Sequence, residues 1–139
     1  MTNFNAIELK ISSIRKYLKI LKSFKKYSQK EMETNDMIKG AVERYLYLAI
    51  QETIGLAEAV VSLKDFRRPE DYGETFEILN EENIISPLLR EKMVKMTGFR
   101  NIVAHDYKKL DFTIVYDVLQ NRLKDIEDFI KQIKKSLNL

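Results

Sequence analysis

Reactive side chains are concentrated in one ten-residue run, GFRNIVAHDY, at positions 98–107. The run contains the only histidine of the chain, His105, together with Arg100 and Asn101. An imidazole that titrates near neutral pH can accept and donate protons, and a permanently charged guanidinium matches the geometry of a phosphate. The run therefore predicts acid–base chemistry on a phosphate, with Arg100 and His105 as the central residues.

Helical spacing decides whether these side chains can meet. Asn101 and His105 are four residues apart, so they share one helix face, where the amide can fix the tautomer of the imidazole. Arg100 and His105 are five apart, about 140° around a regular helix. They converge only if the helix ends near His105, if the arginine bends across, or if a second chain contributes. Otherwise a histidine at a helix end most often caps the last carbonyls.

Arg100 occupies a position where the helical pattern predicts an apolar side chain. The apolar stripe of this helix consists of Leu89, Met93, Met96 and Val103. Burying a guanidinium is costly unless it has a partner or a ligand. Glu52 interrupts an apolar stripe elsewhere in the chain and is a candidate partner; the alternative is that the arginine reaches solvent.

Four segments show the three- and four-residue spacing of amphipathic helices. The first has the stripe Ile7, Ile11, Ile14, Leu18 and Leu21. After a polar break at 28–35, the second spans about 35–64, with the stripe Ile38, Ala41, Tyr45, Leu48, Glu52, Leu56 and Ala59.

The second half of the chain supplies the other two helices. A loop at 65–73 and a short helix at about 74–80 precede a third long helix, which Ser86 and Pro87 open and which runs to about His105. Asp111 caps the fourth, whose stripe is Tyr116, Leu119, Leu123, Ile126, Ile130, Ile133 and Leu137. These segments predict an all-α fold, an antiparallel four- to five-helix bundle in a single domain, 1–139.

Composition excludes several classes of protein. A chain of 139 residues with 45% hydrophobic and 32% charged residues suits one globular domain. It has no cysteine, which excludes disulfides and thiolate metal sites or nucleophiles. No apolar run approaches the roughly 20 residues of a membrane span, and the N-terminus does not resemble an export signal. We therefore expect a cytoplasmic protein.

Positive charge is concentrated at the start of the chain. Residues 1–30 contain eight Lys or Arg and one acid, a net charge of +7, whereas the remainder carries −4. Such asymmetry is typical of a face that binds polyanions. The alternative is a solvated helix face, or one that docks on an acidic partner.

The motif run also resembles a known signature. Arg100 followed directly by Asn101, with His105 and Tyr107 beyond, is similar to the signature of the HEPN superfamily. The similarity is greatest to its HepT-like toxins, which are paired with MNT-type minimal nucleotidyltransferase antitoxins. It covers most of the chain, since residues 41–52 and 72–79 resemble the second helix and middle segment of that family.

The resemblance implies a HEPN-like homodimer that acts as a metal-independent endoribonuclease toxin with no cofactor. The RNA 2′-OH would attack the adjacent phosphate and leave a 2′,3′-cyclic phosphate, with His105 as acid or base. Arg100 would stabilise charge on the phosphate oxygens, and Asn101 would orient His105 or contact phosphate.

The resemblance also implies roles around this centre. The antitoxin would bind the toxin and adenylylate Tyr107, bringing bulk and negative charge to the cleft. Glu52 and Asp106 would line or support the site. Four basic residues are candidates for contacts with the RNA backbone: Arg15, Lys16, Lys19 and Lys22.

A second interpretation of the chain remains open. In it the protein is a non-catalytic helical module that binds a nucleotidyltransferase or its substrate, and Arg100 and His105 are structural residues. RNA cleavage by the purified protein with EDTA present distinguishes the two.

Overall fold

The computed structural model describes residues 3–105 and 110–139, and about four fifths of them are helical. In chain order the helices are α1 (Phe4–Ser23), α2 (Gln29–Glu33), α3 (Asp36–Leu63), α4 (Tyr72–Glu81), α5 (Pro87–His105), α6 (Phe112–Asp117) and α7 (Leu123–Ser136). A π-helical turn, Val118–Arg122, joins α6 directly to α7, so these form one rod. The described ranges contain no strand, and the predicted all-α class is confirmed.

The number of helices was predicted wrongly. The described ranges contain six helical rods rather than four or five, because α2 forms within the stretch expected to be a polar break. A capping box explains it: the Ser28 side chain accepts from the backbone N–H of Glu31, and the Glu31 carboxylate accepts from the N–H of Ser28. Two reciprocal bonds of this kind stabilise even a single turn.

The ends of the other helices follow the sequence closely. The Ser86 hydroxyl accepts from the N–H of Leu89 at the start of α5, and the Asp111 carboxylate accepts from the N–H of Thr113 at the start of α6. α1 and α3 run antiparallel, since Lys10 meets Glu52 whereas Tyr17, further along α1, meets Tyr45.

α3 is the central helix, and the buried face of its first half was predicted out of phase. It packs against α1, α2, α4 and α5. The last two positions of the predicted stripe, Leu56 and Ala59, are buried as expected. The earlier positions 38, 41, 45, 48 and 52 are only half-buried, and the buried residues there are instead Val42, Leu46, Ala49, Ile50 and Thr53. A helix with neighbours on several sides buries apolar residues around most of its circumference, so a single stripe cannot be read from it.

The same burial explains a second departure from expectation. Of the described helices, α3 alone is long and apolar enough to cross a membrane, with a mean hydropathy of 1.4 over 18 residues. More than half of that window, 56%, is buried inside the protein. The composition is that of a helix enclosed by other helices.

Candidate functional site

Arg100 lies on the buried face of α5 and is held by three hydrogen-bonding side chains. It is only 9% exposed. Its Nε donates to Oε1 of Gln51 at 2.9 Å, and its Nη1 donates to Oδ1 of Asn101 at 2.9 Å. Nη2 lies 3.5 Å from the hydroxyl oxygen of Tyr47, a weaker contact. The guanidinium thus joins α5 to α3 in a fixed orientation.

Two aromatic rings enclose the same guanidinium. Its central carbon lies 5.3 Å from the ring centroid of Tyr47 and 5.2 Å from that of Tyr72, the first residue of α4. Cation–π contacts of this kind stabilise a charge that has lost water, and they leave the charge itself intact. Since the three hydrogen-bonding partners are also uncharged, this set of residues orients Arg100 without neutralising it.

Glu52, the partner suggested by the sequence, does not contact Arg100. Its carboxylate lies 3.7 Å from Nζ of Lys10, on the side of α3 that faces α1. The adjacent residue, Gln51, makes the contact instead. The contact falls on Gln51 rather than on Glu52 because the face of α3 that meets α5 is rotated relative to the face that the sequence spacing indicated.

His105 is exposed and lines an open cleft of ≈ 430 Å³ between the end of α5 and α3. Glu43, Arg44 and Tyr47 form the α3 side of this cleft. The guanidinium of Arg44 lies 5.6 Å from the ring of Tyr47. The Tyr47 ring therefore connects the cleft to the buried Arg100, because it contacts both arginines and lines the space next to the imidazole.

Arg100 and His105, which their spacing allowed to converge only under certain conditions, lie in different surroundings. α5 is helical up to His105, so Arg100 points into the protein while His105 points outward. Asn101 uses its amide oxygen to accept from Arg100, and no hydrogen bond joins it to His105 among the described residues. Asn101 is therefore placed to orient the guanidinium rather than the imidazole.

Two of the predicted site residues, Asp106 and Tyr107, lie outside the described residues.

The four basic candidates from α1 are exposed, but they do not all line the same surface groove. Arg15, Lys19 and Lys22 line a groove against α7, whereas Lys16 is not among its lining residues. Lys22 pairs with Glu127 of α7. None of the four lines the cleft that holds His105.

The sequence analysis assigned no individual role to four residues of this region: Arg44, Tyr47, Gln51 and Tyr72. A signal for three of them was present, because Arg44, Tyr47 and Gln51 recur at spacings of three and four in a helix that is otherwise largely apolar. Such a polar row on a core helix marks the face that contains a site. Tyr72 carries no comparable signal, since it starts a helix after a loop.

Comparison with known proteins identifies the family of the chain. The family model described as Ribonuclease HepT-like matches residues 14–133. The mRNA nuclease HepT of Shewanella oneidensis is 41% identical over 66 residues, which span 48% of this chain and only 50% of that relative. The tRNA nuclease HepT of Aphanizomenon flos-aquae is 26% identical over 139 residues, covering 99% of this chain and 95% of that one.

The similarity of the fold to solved structures agrees with the family indicated by the sequence matches. The structure is similar to that of a tri-AMPylated Shewanella oneidensis HEPN toxin solved in complex with its MNT antitoxin, with a TM-score of 0.86 and 28% identity. The match covers 93% of this chain and 96% of that one. With the family model spanning most of its length, the chain belongs to the ribonuclease HepT-like family.

Proposed function

We propose that the protein is the toxin of a toxin–antitoxin pair and a metal-independent endoribonuclease. The observation that carries the proposal is the guanidinium of Arg100, fixed by uncharged partners and by two aromatic rings next to the cleft of His105. A preorganised cation of this kind stabilises charge that develops on phosphate oxygens. The names of the relatives support RNA as the substrate.

The chemistry needs only these side chains. A neutral His105 accepts the proton of the RNA 2′-OH as its oxygen attacks the adjacent phosphorus. The bond from phosphorus to the 5′ oxygen then breaks, and a protonated imidazole donates a proton to that leaving oxygen. The products are a 2′,3′-cyclic phosphate and a free 5′-OH. Arg100 stabilises the pentavalent phosphorane between the two steps. Asn101 and Gln51 hold the guanidinium of Arg100 in place through their hydrogen bonds.

A homodimer would bring these groups together. Within one chain Arg100 is buried whereas His105 is exposed, and we expect a second copy to complete the site by placing the two motifs face to face. A dimer also provides two imidazoles, one to accept the first proton and one to donate the second. Analytical ultracentrifugation of the purified toxin tests this state.

The antitoxin would act on the motif tyrosine. The similar toxin from Shewanella oneidensis was solved tri-AMPylated and bound to an MNT antitoxin, which supports the same kind of partner here. Adenylylation of Tyr107, two residues beyond His105, would place phosphate charge near the cleft and compete with RNA. Mass spectrometry of the toxin after incubation with ATP and such an antitoxin tests the modification and its position.

RNA cleavage in EDTA tests the proposal against the non-catalytic alternative. Wild type, His105→Ala and Arg100→Ala are compared on the same RNA, without antitoxin, after melting curves establish that each variant is folded. The proposal predicts cleavage by wild type and its loss in both variants. Equal activity in all three would identify a contaminating nuclease, and no activity in any of them would favour a binding module.

A further inference from the structure

A groove between α1 and α7 concentrates positive charge away from the cleft of His105. It has a volume of ≈ 780 Å³ and shares no lining residue with that cleft. Six of its lining residues are basic and two, Glu127 and Asp128, are acidic. The basic residues are Arg15, Lys19 and Lys22 from α1 and Lys131, Lys134 and Lys135 from α7.

Helical register places these cations in two rows. On α1 the spacing is four and then three residues, and on α7 it is three and then one, so each helix presents its set on one face. The apolar residues Leu18 and Ile130 line the groove between the rows. Lys22 is paired with Glu127, and even with both acids counted the groove keeps an excess of four positive charges. The rows are 109 or more residues apart in sequence, so only the fold shows that they form one surface.

We propose that this groove, which we call the α1–α7 groove, binds the sugar–phosphate backbone of single-stranded RNA apart from the site of cleavage. RNA as the ligand rests on the function proposed above. Facing rows of cations complement a row of phosphates, and release of counterions provides affinity that does not depend on sequence. The groove has no aromatic lining residue on which bases could stack. It therefore contacts backbone and selects no base.

A backbone site separate from the cleft affects long and short substrates differently. An RNA that reaches both the groove and the cleft is held by both, whereas a substrate that only fills the cleft is not. The groove thus lowers KM for long RNA and leaves kcat unchanged, since it makes no contact with the reacting phosphate. Lys16, which lies outside the groove, does not contribute to this effect.

The test compares two variants that lose the same charge. One is the triple variant Lys131→Gln, Lys134→Gln, Lys135→Gln. The control is Lys30→Gln, Lys64→Gln, Lys124→Gln, whose lysines are exposed and lie outside both the groove and the cleft. Both are made in a His105→Ala background, so that bound RNA is not cleaved, and melting curves correct for any loss of helix stability.

Binding of a labelled, unstructured RNA of about 30 nucleotides is measured by fluorescence anisotropy over a range of salt. The groove variant is expected to bind about tenfold more weakly, and its log Kd against log salt slope is expected to fall by about 2. The control keeps the wild-type slope. With His105 restored, the groove variant should raise KM for the long RNA and leave kcat, and cleavage of a trinucleotide, unchanged.

Each result decides the matter. Equal slopes for the groove variant and the control, or no binding of the long RNA by wild type, overturn the proposal. So does a groove variant that still binds RNA but no longer binds an MNT-type antitoxin, since the surface then belongs to a protein partner. Groove-dependent RNA binding by a wild-type protein that cleaves nothing would support the groove and contradict the proposed nuclease function.

Discussion

Nε of Arg100 and Oε1 of Gln51 are 2.9 Å apart, and this bond ties the helix of the motif to the central helix of the fold. The amide accepts a hydrogen bond without bringing a negative charge. A carboxylate at the same place would compete with any anionic ligand for the guanidinium. An amide at position 51 therefore leaves the positive charge of Arg100 available to an anionic ligand.

We expect Gln51→Glu to lower kcat/KM for RNA cleavage by at least about tenfold, because an ion pair would hold Arg100 away from phosphate. Thermal stability should stay the same or rise, which separates this effect from unfolding. Gln132→Glu is the matched control: its side-chain oxygen also accepts a hydrogen bond, in this case from the backbone N–H of Ser86, and it does not line the cleft of His105. Full activity in Gln51→Glu would show that the charge on Arg100 is not used.

Substitutions of Tyr47 distinguish the contribution of its aromatic ring to activity from that of its hydroxyl group. The ring contacts both Arg44 and Arg100, whereas the hydroxyl makes only a 3.5 Å contact. Tyr47→Phe should therefore keep activity within about threefold, while Tyr47→Leu, which removes the cation–π contacts, should lose about tenfold or more. Cleavage kinetics measure both. Tyr45→Leu, which removes the ring contact with Tyr17 and part of the packing against the core, controls for damage to α3.

Gly40 is expected to limit the stability of α3. It is an exposed residue inside the helix, and a Cβ there would meet nothing within 4 Å. Gly40→Ala should raise the free energy of unfolding by about 1 kcal/mol in urea denaturation, because alanine favours helix more than glycine does. A decrease would mean that this face is packed in the assembled protein.

Gly55 offers the contrast. Its added Cβ would lie 3.0 Å from Nζ of Lys10, so Gly55→Ala must displace the lysine that contacts Glu52 and should gain less. A close approach of helix backbones explains neither glycine, because an added Cβ would meet nothing at Gly40 and only a lysine side chain at Gly55.

Acid should weaken the attachment of α4 through one carboxyl group. Hydrogen bonds from Arg67 lower the pKa of Glu81 below its usual value. A lowered pKa in the folded state stabilises the protein above the pKa of the unfolded chain, and that stabilisation is lost as pH falls. The stability difference between wild type and Glu81→Gln should therefore shrink below about pH 4.3. Glu77→Gln, an exposed change on the same helix, serves as the control in the denaturation curves.

The sequence predicted the helices well because local signals specify them. Caps such as Ser86 and Asp111, and regular stripes on the first and last helices, have the same meaning in any fold. The phase of the first half of α3 could not be predicted in this way, because contacts with four other helices decide which of its many apolar residues are buried. The π-helical turn between α6 and α7 leaves the apolar stripe intact and so gives no signal.

In the candidate site, too, residues marked by a local pattern could be predicted, whereas partners that depend on the packing of helices could not. Arg100 was identifiable because a charge on an apolar stripe is exceptional, and it is indeed buried. The sequence indicated Glu52 as the partner of Arg100, but the structure shows Gln51, because the rotation of α3 decides which of the two side chains faces α5. Tyr72 comes from a separate helix, and no local pattern connects it to Arg100.

The central claim is that His105 and Arg100 promote attack by a 2′-OH with no metal. The most direct measurement is end-group analysis by mass spectrometry of RNA cleaved in EDTA, using a substrate with a single mapped cleavage position. We expect a 2′,3′-cyclic phosphate on the 5′ fragment and complete loss of cleavage when the nucleotide before the scissile phosphate is 2′-deoxy. Cleavage of that 2′-deoxy substrate, or a 5′-phosphate on the downstream fragment, would contradict it.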